Sequence, residues 1–242
     1  MIQSVERAVR ILQCFETDRQ LGITQIARKT QLTKSTAFGL VSTLVETGLL
    51  EQDPATSQYR LGPELFRLGS RVDTDGRQLI AAELATLCEH LEETVNYMRP
   101  VGSDIVYLVK KESPHSMRIC TTIGQRLPMY CTAGGKAILA RLPREEQDRI
   151  IDGFRFLSYT DNTITDPDAL RRELAEVQQS GYGLDREELE LGLTCVGVPV
   201  LNSLGQPVAA ISCSGPTSRM TDLKIRQCCQ ELSACAERLS QF

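Results

Sequence analysis

Between Gly22 and Gly48 the sequence carries two short helical patterns with only Gln31-Leu32-Thr33 between them. Two helices joined by so short a turn must cross steeply and share one small core, so this spacing constrains the fold more than any other feature. Ile26 and Ala27 supply the inward side of the first helix, with Thr24 as its candidate cap. The second runs from Lys34 with Ala37, Leu40, Val41, Leu44 and Val45 as its apolar stripe, and Gly48 follows as a helix-stopping glycine. Upstream, residues 4–17 form one helical face through Val5, Ala8, Val9, Leu12 and Phe15, capped by Ser4. Downstream, residues 49–52 and 58–61 read as strands around Asp53-Pro54-Ala55-Thr56-Ser57, which is turn chemistry. Three helices followed by a hairpin predict a winged helix-turn-helix.

The remaining sequence mixes helices and strands. Residues 64–73 predict a linking helix, Asp73-Thr74-Asp75-Gly76 a joint, and residues 78–94 an amphipathic helix. Residues 95–101, 105–110 and 117–122 predict strands, 133–142 and 167–180 helices. Residues 195–201 and 208–214 alternate like paired strands about Asn202-Ser203-Leu204-Gly205, and Asp222 is the candidate cap of a last helix. The expected class is α+β, with domains at 1–63 and 77–242 joined by a linker at 64–76. A chain of 242 residues is long enough for two such domains.

Charge narrows the function classes. The net charge of −4 argues against a bulk polyanion binder, yet residues 1–72 hold nine Lys/Arg against seven Asp/Glu, a local +2. No apolar run approaches the ~20 residues needed to cross a bilayer. The first residues lack a signal-peptide profile. A cytoplasmic protein without a membrane partner is expected.

The second helix of a helix-turn-helix enters the major groove by its N-terminal turn, here Thr33-Lys34-Ser35-Thr36. Lys34 can neutralise a phosphate, and Ser35 and Thr36 can donate to phosphate or base. Phe38 can press on a sugar or thymine methyl. Ser42, one turn on, and Arg60 in the wing complete the candidate DNA-binding set. The same residues fit a plain three-helix core with a capped helix and a solvated lysine.

Three later segments carry polar chemistry. Tyr130-Cys131-Thr132-Ala133-Gly134-Gly135-Lys136 opens a helix with glycines, exposing backbone N–H groups that suit a carboxylate. A tight packing turn would need the same glycines. Asp185, after Gly181-Tyr182-Gly183-Leu184, can accept from a ligand hydroxyl or act as a loop carboxylate. Cys195 suits a pocket wall or a core equally. Ser212 and Ser214 share one strand face with Cys213 opposite, and two hydroxyls on one face favour a wet surface or a polar pocket.

Taken in order, Ser4-Val5-Glu6-Arg7-Ala8, Gly22-Ile23-Thr24-Gln25-Ile26-Ala27, Lys34-Ser35-Thr36, Gly48-Leu49-Leu50 and Tyr59-Arg60-Leu61-Gly62 resemble the DNA-binding end of the IclR family. The three later segments resemble its effector-binding domain. That resemblance implies a GAF-like domain, an antiparallel sheet with helices on its sides. It also implies a small-carboxylate site at Ala133, Gly134, Asp185, Cys195, Ser212 and Ser214, with Met129, Leu127 and Ile211 setting its size. Arg118, Thr122-Ile123-Gly124 and Pro128-Met129-Tyr130 are similar to the sugar-acid branch, which includes regulators of 2-keto-3-deoxygluconate use. Gly39 departs from the family, whose members often have Arg there.

The resemblance implies a repressor of a catabolic operon that binds double-stranded operator DNA as a homodimer or tetramer and responds to a keto or sugar acid. No catalytic residue, metal or cofactor is assigned. Two alternatives use the nine cysteines. One is a thiol enzyme with Cys195 or Cys131 as nucleophile, the other a redox or metal sensor built on Cys228, Cys229 and Cys235. No C-x-x-C pair is present, His90 and His115 are the whole histidine supply, and buried apolar thiols account for most of the set.

Overall fold

A computed structural model describes residues 2–71, 75–119 and 121–240. They fall into two compact units, one within 1–74 and one within 75–242.

The first unit contains α1 (Gln3–Gln13), α2 (Ile23–Thr30), α3 (Lys34–Glu46), β1 (Leu50–Gln52), β2 (Tyr59–Leu61) and α4 (Pro63–Gly69). The turn between α2 and α3 is tight because Gln31 adopts a left-handed φ of 57°. Thr33 then caps α3, its hydroxyl accepting the Thr36 N–H at 3.3 Å. Thr24 lies inside α2, which begins instead where the Gly22 N–H donates to Gln25 Oε1 at 2.8 Å. Likewise Ile2, rather than Ser4, precedes α1. Ile11, Phe15, Leu21, Ile26, Val41, Leu44, Leu50 and Tyr59 form the core, each large side chain contributing about 1.5–3 kcal/mol by burial. α1 turns Ala8, Ile11 and Leu12 inward and leaves Val5 and Val9 exposed, so only part of the predicted face is used. The wing is tied to the helices by two backbone hydrogen bonds between Leu21 and Tyr59, of 3.0 and 2.9 Å. Gly48 stops α3 at φ 73°.

The second unit is a six-stranded antiparallel sheet in the order β5-β4-β3-β8-β7-β6. Its strands are β3 (Thr94–Val101), β4 (Asp104–Lys111), β5 (Arg126–Pro128), β6 (Gly183–Arg186), β7 (Leu193–Leu201) and β8 (Pro207–Pro216). Its helices are α5 (Asp75–Leu91), α6 (Ala133–Leu139), α7 (Arg144–Asp152), α8 (Pro167–Ser180) and α9 (Asp222–Leu239). Period-two alternation divides the sheet. Val95, Val109, Val196, Val198, Ile211 and Cys213 face α5 and α9, while Met98, Tyr107 and Ala210 face α6 and α8. The expected mix of an N-terminal helix-turn-helix with a later antiparallel sheet is the observed one.

Several elements differ from expectation. α5 starts at Asp75, so Asp75 and Gly76 belong to a helix rather than a joint, and residues 72–74 lie outside the described set. It ends at Leu91, since Glu92 turns left-handed at φ 54°. Residues 117–119 and 121–122 form no strand, and Cys120 lies outside the described residues. Side chains capture this segment's carbonyls instead: Arg219 donates to Met117 O at 3.0 Å, Thr94 to Ile119 O at 3.2 Å, and Lys110 to Thr121 O. The edge of β4 is therefore free for β5. α7 had no predicted counterpart, and Thr221, not Asp222, caps α9. Among the described residues no helix is long and apolar enough to cross a membrane.

Candidate nucleic-acid interface and effector cavity

On α3 the buried positions are Ala37, Val41 and Leu44. Helical geometry therefore turns Ser35, Phe38, Gly39 and Ser42 to the opposite side. Lys34 and Ser35 are exposed, Thr36 and Ser42 half-buried, and Phe38 is 55% exposed. A ring this open near the start of a helix leaves more than half of its surface available to a partner. Arg60 is exposed but paired with Glu51 at 2.9 Å, so it would have to exchange that carboxylate for a phosphate. A Cβ added at Gly39 would meet nothing within 4 Å. The packing of this unit does not require glycine there, and the missing side chain leaves backbone open at the exposed face.

The second site follows from strand register. Asp185 on β6 lies opposite Cys195 on β7, Cys195 opposite Ser214 on β8, and Ser214 opposite Thr94 on β3. One step along, Gly183, Gly197, Ser212 and Asn96 form a parallel row. Directly opposed residues share a face, so polar side chains from four strands collect on one side of the sheet. α6 covers them at unusually short range. A Cβ on Gly197 would stand 2.5 Å from Gly134 N, and one on Gly134 would stand 2.4 Å from Met98 Sδ.

Between the first turn of α6 and the sheet lies a cavity of about 80 Å³. Gly134, Asp185, Cys195, Ser212 and Ser214 line it, bringing five of the seven expected effector residues together. Ala133 is buried beside Leu193 and Cys195 without lining the cavity. Met129 does not line this cavity. It packs with Tyr130, Ile138 and Leu139 in the core on the same side of the sheet, because the turn before α6 directs it away from the polar rows. Ile211 points to the opposite face, as its strand parity requires, while Leu127 does line the cavity. Sequence reasoning missed Met98, Tyr107, Thr121, Gln125, Thr132 and the loop residues Leu189 and Glu190. The alternation of β3 could have signalled Met98, but the bulge between Tyr97 and Met98 hides the parity.

The local charges form a linked group. Lys136 on α6 is fully buried and pairs with Glu188 at 2.6 Å and Glu173 at 3.1 Å. Asp185 Oδ1 accepts the Glu188 N–H at 2.8 Å. Burial pushes the Asp185 carboxyl up to about 7, reinforced by Glu188 and opposed by that N–H and Lys136. Burial also drives the Cys195 thiol well above its ordinary value, with Asp185 adding to the effect. Cys131 is raised chiefly by burial as well. A thiolate nucleophile is thus disfavoured at both positions. The histidines do not repair this: His90 pairs with Glu231 on α9 at 3.3 Å, and neither His90 nor His115 lines the cavity.

Comparison with known proteins gives the family of both units. Residues 4–54 match the IclR helix-turn-helix domain, and residues 72–241 match the bacterial transcriptional regulator IclR C-terminal domain. HTH-type transcriptional regulator KdgR of Escherichia coli (strain K12) is 32% identical over 241 residues, covering 99% of this chain and 92% of the relative. HTH-type transcriptional regulator XynR of the same organism is 36% identical over 244 residues, covering 100% and 97%. The crystal structure of an IclR-type transcriptional regulator from Alicyclobacillus acidocaldarius aligns with a TM-score of 0.86 at 29% identity, covering 100% of this chain and 98% of that one. These families and relatives are regulators rather than enzymes. The chain belongs to the IclR family of bacterial DNA-binding transcriptional regulators.

Proposed function

We propose that this regulator senses a small organic acid, a keto or sugar acid, in the cavity beneath α6 and that occupancy changes its affinity for double-stranded operator DNA. The observation that carries the reading is the cross-strand gathering of Asp185, Ser212 and Ser214, each at most 3% exposed, around one small void. Buried polar groups are costly unless they find partners. Their remaining hydrogen-bonding capacity suits a compact ligand with several oxygens, and the modest volume favours an acid of few carbons. On the DNA side, Lys34, Ser35, Thr36, Phe38 and Ser42 meet the groove, with Arg60 reaching an adjacent phosphate. The regulator works in the cytoplasm as a homodimer or tetramer, since two-fold operators call for two-fold readers with half-sites about 34 Å apart or a multiple of it. It represses a catabolic operon. Ligand that binds two arrangements of the DNA-reading units unequally shifts their populations, and the linking helix expected at 64–73 is the natural transmitter of that change.

A thermal-shift screen of two- to six-carbon keto and hydroxy acids tests the ligand class. At least one acid is expected to stabilise the protein, by about 2.7 kcal/mol at a hundredfold excess over Kd. Asp185→Ala is expected to abolish the shift. A flat response across the panel would contradict the proposal.

A further inference from the structure

The charge balance of the cavity bears on which ionic form of a ligand can enter, a question that rests on the small-acid reading above. Asp185 and Glu190 are both among the lining residues, and no Lys, Arg or His is among them. The cation facing Asp185 is Lys136 from α6, and it is already shared between Glu188, in the loop after β6, and Glu173 on α8. The other titratable groups facing Asp185 are Cys195 on β7, Tyr107 on β4 and Cys131 in the turn before α6, each kept neutral by burial. Lys110, which donates to the carbonyl of the lining residue Thr121, is paired with Glu112, so among the described residues no unpaired cation lines the cavity beside Asp185.

A carboxylate brought into this void would therefore face an ionised Asp185 at short range. Two carboxylates in one poorly solvated site cannot both stay charged, and one of them takes a proton. A second observation lies one layer behind the lining, at Asn96, which does not itself line the cavity. Asn96 is fully buried in the row with Ser212, and its Oδ1 accepts from the lining residue Thr121 at 2.7 Å. Its Nδ2 has no hydrogen-bond partner. The Ser212 and Ser214 hydroxyls stand on the same side. The site thus offers neutral donors together with one acid that can become a donor.

We infer that the cavity takes its ligand as a monoanion together with one proton from solvent, which Asp185 holds and donates as a hydrogen bond to the ligand carboxylate. The proton adds to an Asp185 carboxylate oxygen, and no other bond is made or broken. Acids ionised at two ends are excluded, because the site can neutralise one excess charge and no more. The upward displacement of the Asp185 carboxyl by burial agrees with this arrangement.

The sign follows from linkage. Only the protonated site binds, so affinity is constant where Asp185 is already protonated and falls once it must be charged from solvent. Calorimetric titration with pyruvate and with glyoxylate tests this. Affinity is expected to be flat from about pH 5.5 to about pH 6.5 and to fall about tenfold per unit above about pH 8. At the higher pH, titrations in two buffers of different ionisation heat should report uptake of about one proton per acid bound. Asp185→Asn, which is neutral at every pH and still donates, should bind with an affinity independent of pH, and oxalate, doubly ionised throughout this range, should give no heat with either protein. Pyruvate binding equally well at both ends of the range, or without proton uptake by the unmodified protein, would overturn the inference and leave the small-acid reading standing. Should neither monoanion give heat, the same titration is run with each singly ionised acid of the two- to six-carbon panel, and no heat from any of them at any pH would overturn that reading and the inference with it.

Discussion

Gly197→Ala is expected to destabilise the sheet unit by about 3 kcal/mol and to lower its urea midpoint accordingly. The added methyl would stand 2.5 Å from Gly134 N and 2.6 Å from the Ala133 carbonyl carbon. Both are backbone atoms, so no side chain can swing aside and α6 must rise off the sheet. Gly183, the register partner of Gly197, is under the same pressure, with Ala133 O 2.4 Å from its would-be Cβ. These two glycines form the seat that lets the first turn of α6 close the cavity over the strand rows. Lifting the helix also moves Gly134 away from Asp185 and Ser212. The variant should therefore lose acid-induced stabilisation even where it remains folded. An unchanged midpoint in urea, followed by circular dichroism, would show that the close approach is not required.

Lys136→Met is expected to cost about 3–5 kcal/mol, because it leaves Glu188 buried and unpaired. Glu188 has only 7% of its side chain exposed and its second carboxylate oxygen has no partner, so it cannot compensate through water. Glu173, at 23% exposure, is partly solvated and suffers less. The loss should depend on pH. Burial already raises the Glu188 carboxyl while Lys136 holds it down. Removing the lysine raises it further, so the variant is penalised most at neutral pH, where the unfolded form ionises and the folded form must keep its proton, and least toward about pH 4, where both forms bind the proton. Combining Lys136→Met with Glu188→Gln should recover most of the stability, since the two sites are in contact and their effects are not additive. A double-mutant cycle in urea at pH 5 and pH 7 measures both statements. Additive losses of equal size at the two pH values would refute them.

Much of this could be read from residue spacing. The stripes of α2 and α3, the breaking residues between them and the turn chemistry at Asp53 made the first unit legible, because each is a local signal. Ser212 and Ser214 marked the polar face of β8 for the same reason, and Asp185 and Cys195 join them through register. What stayed hidden is non-local. Residues 117–122 carry strand-like side chains, but their carbonyls go to Lys110, Thr94 and Arg219, partners that no pattern within the segment reveals. Lys136 reads as one more charge on a helix, and only the packing of α6 against α8 and the loop after β6 makes it buried and doubly paired. Met129 entered the expected set only through the family resemblance, whereas the turn before α6 packs it in the core and not along the cavity.

The proposed function requires that α3 hold a DNA groove and that a bound acid alter that hold. Fluorescence anisotropy of a labelled duplex from the region upstream of the protein's own coding sequence, titrated across about 50–200 mM salt, tests it most directly. Log affinity should fall linearly with log salt, Lys34→Ala should reduce the slope by about 1, and saturating the cavity with an acid that stabilises the protein should shift the affinity at fixed salt. Binding that ignores salt, or is absent with and without such acids, would contradict the account.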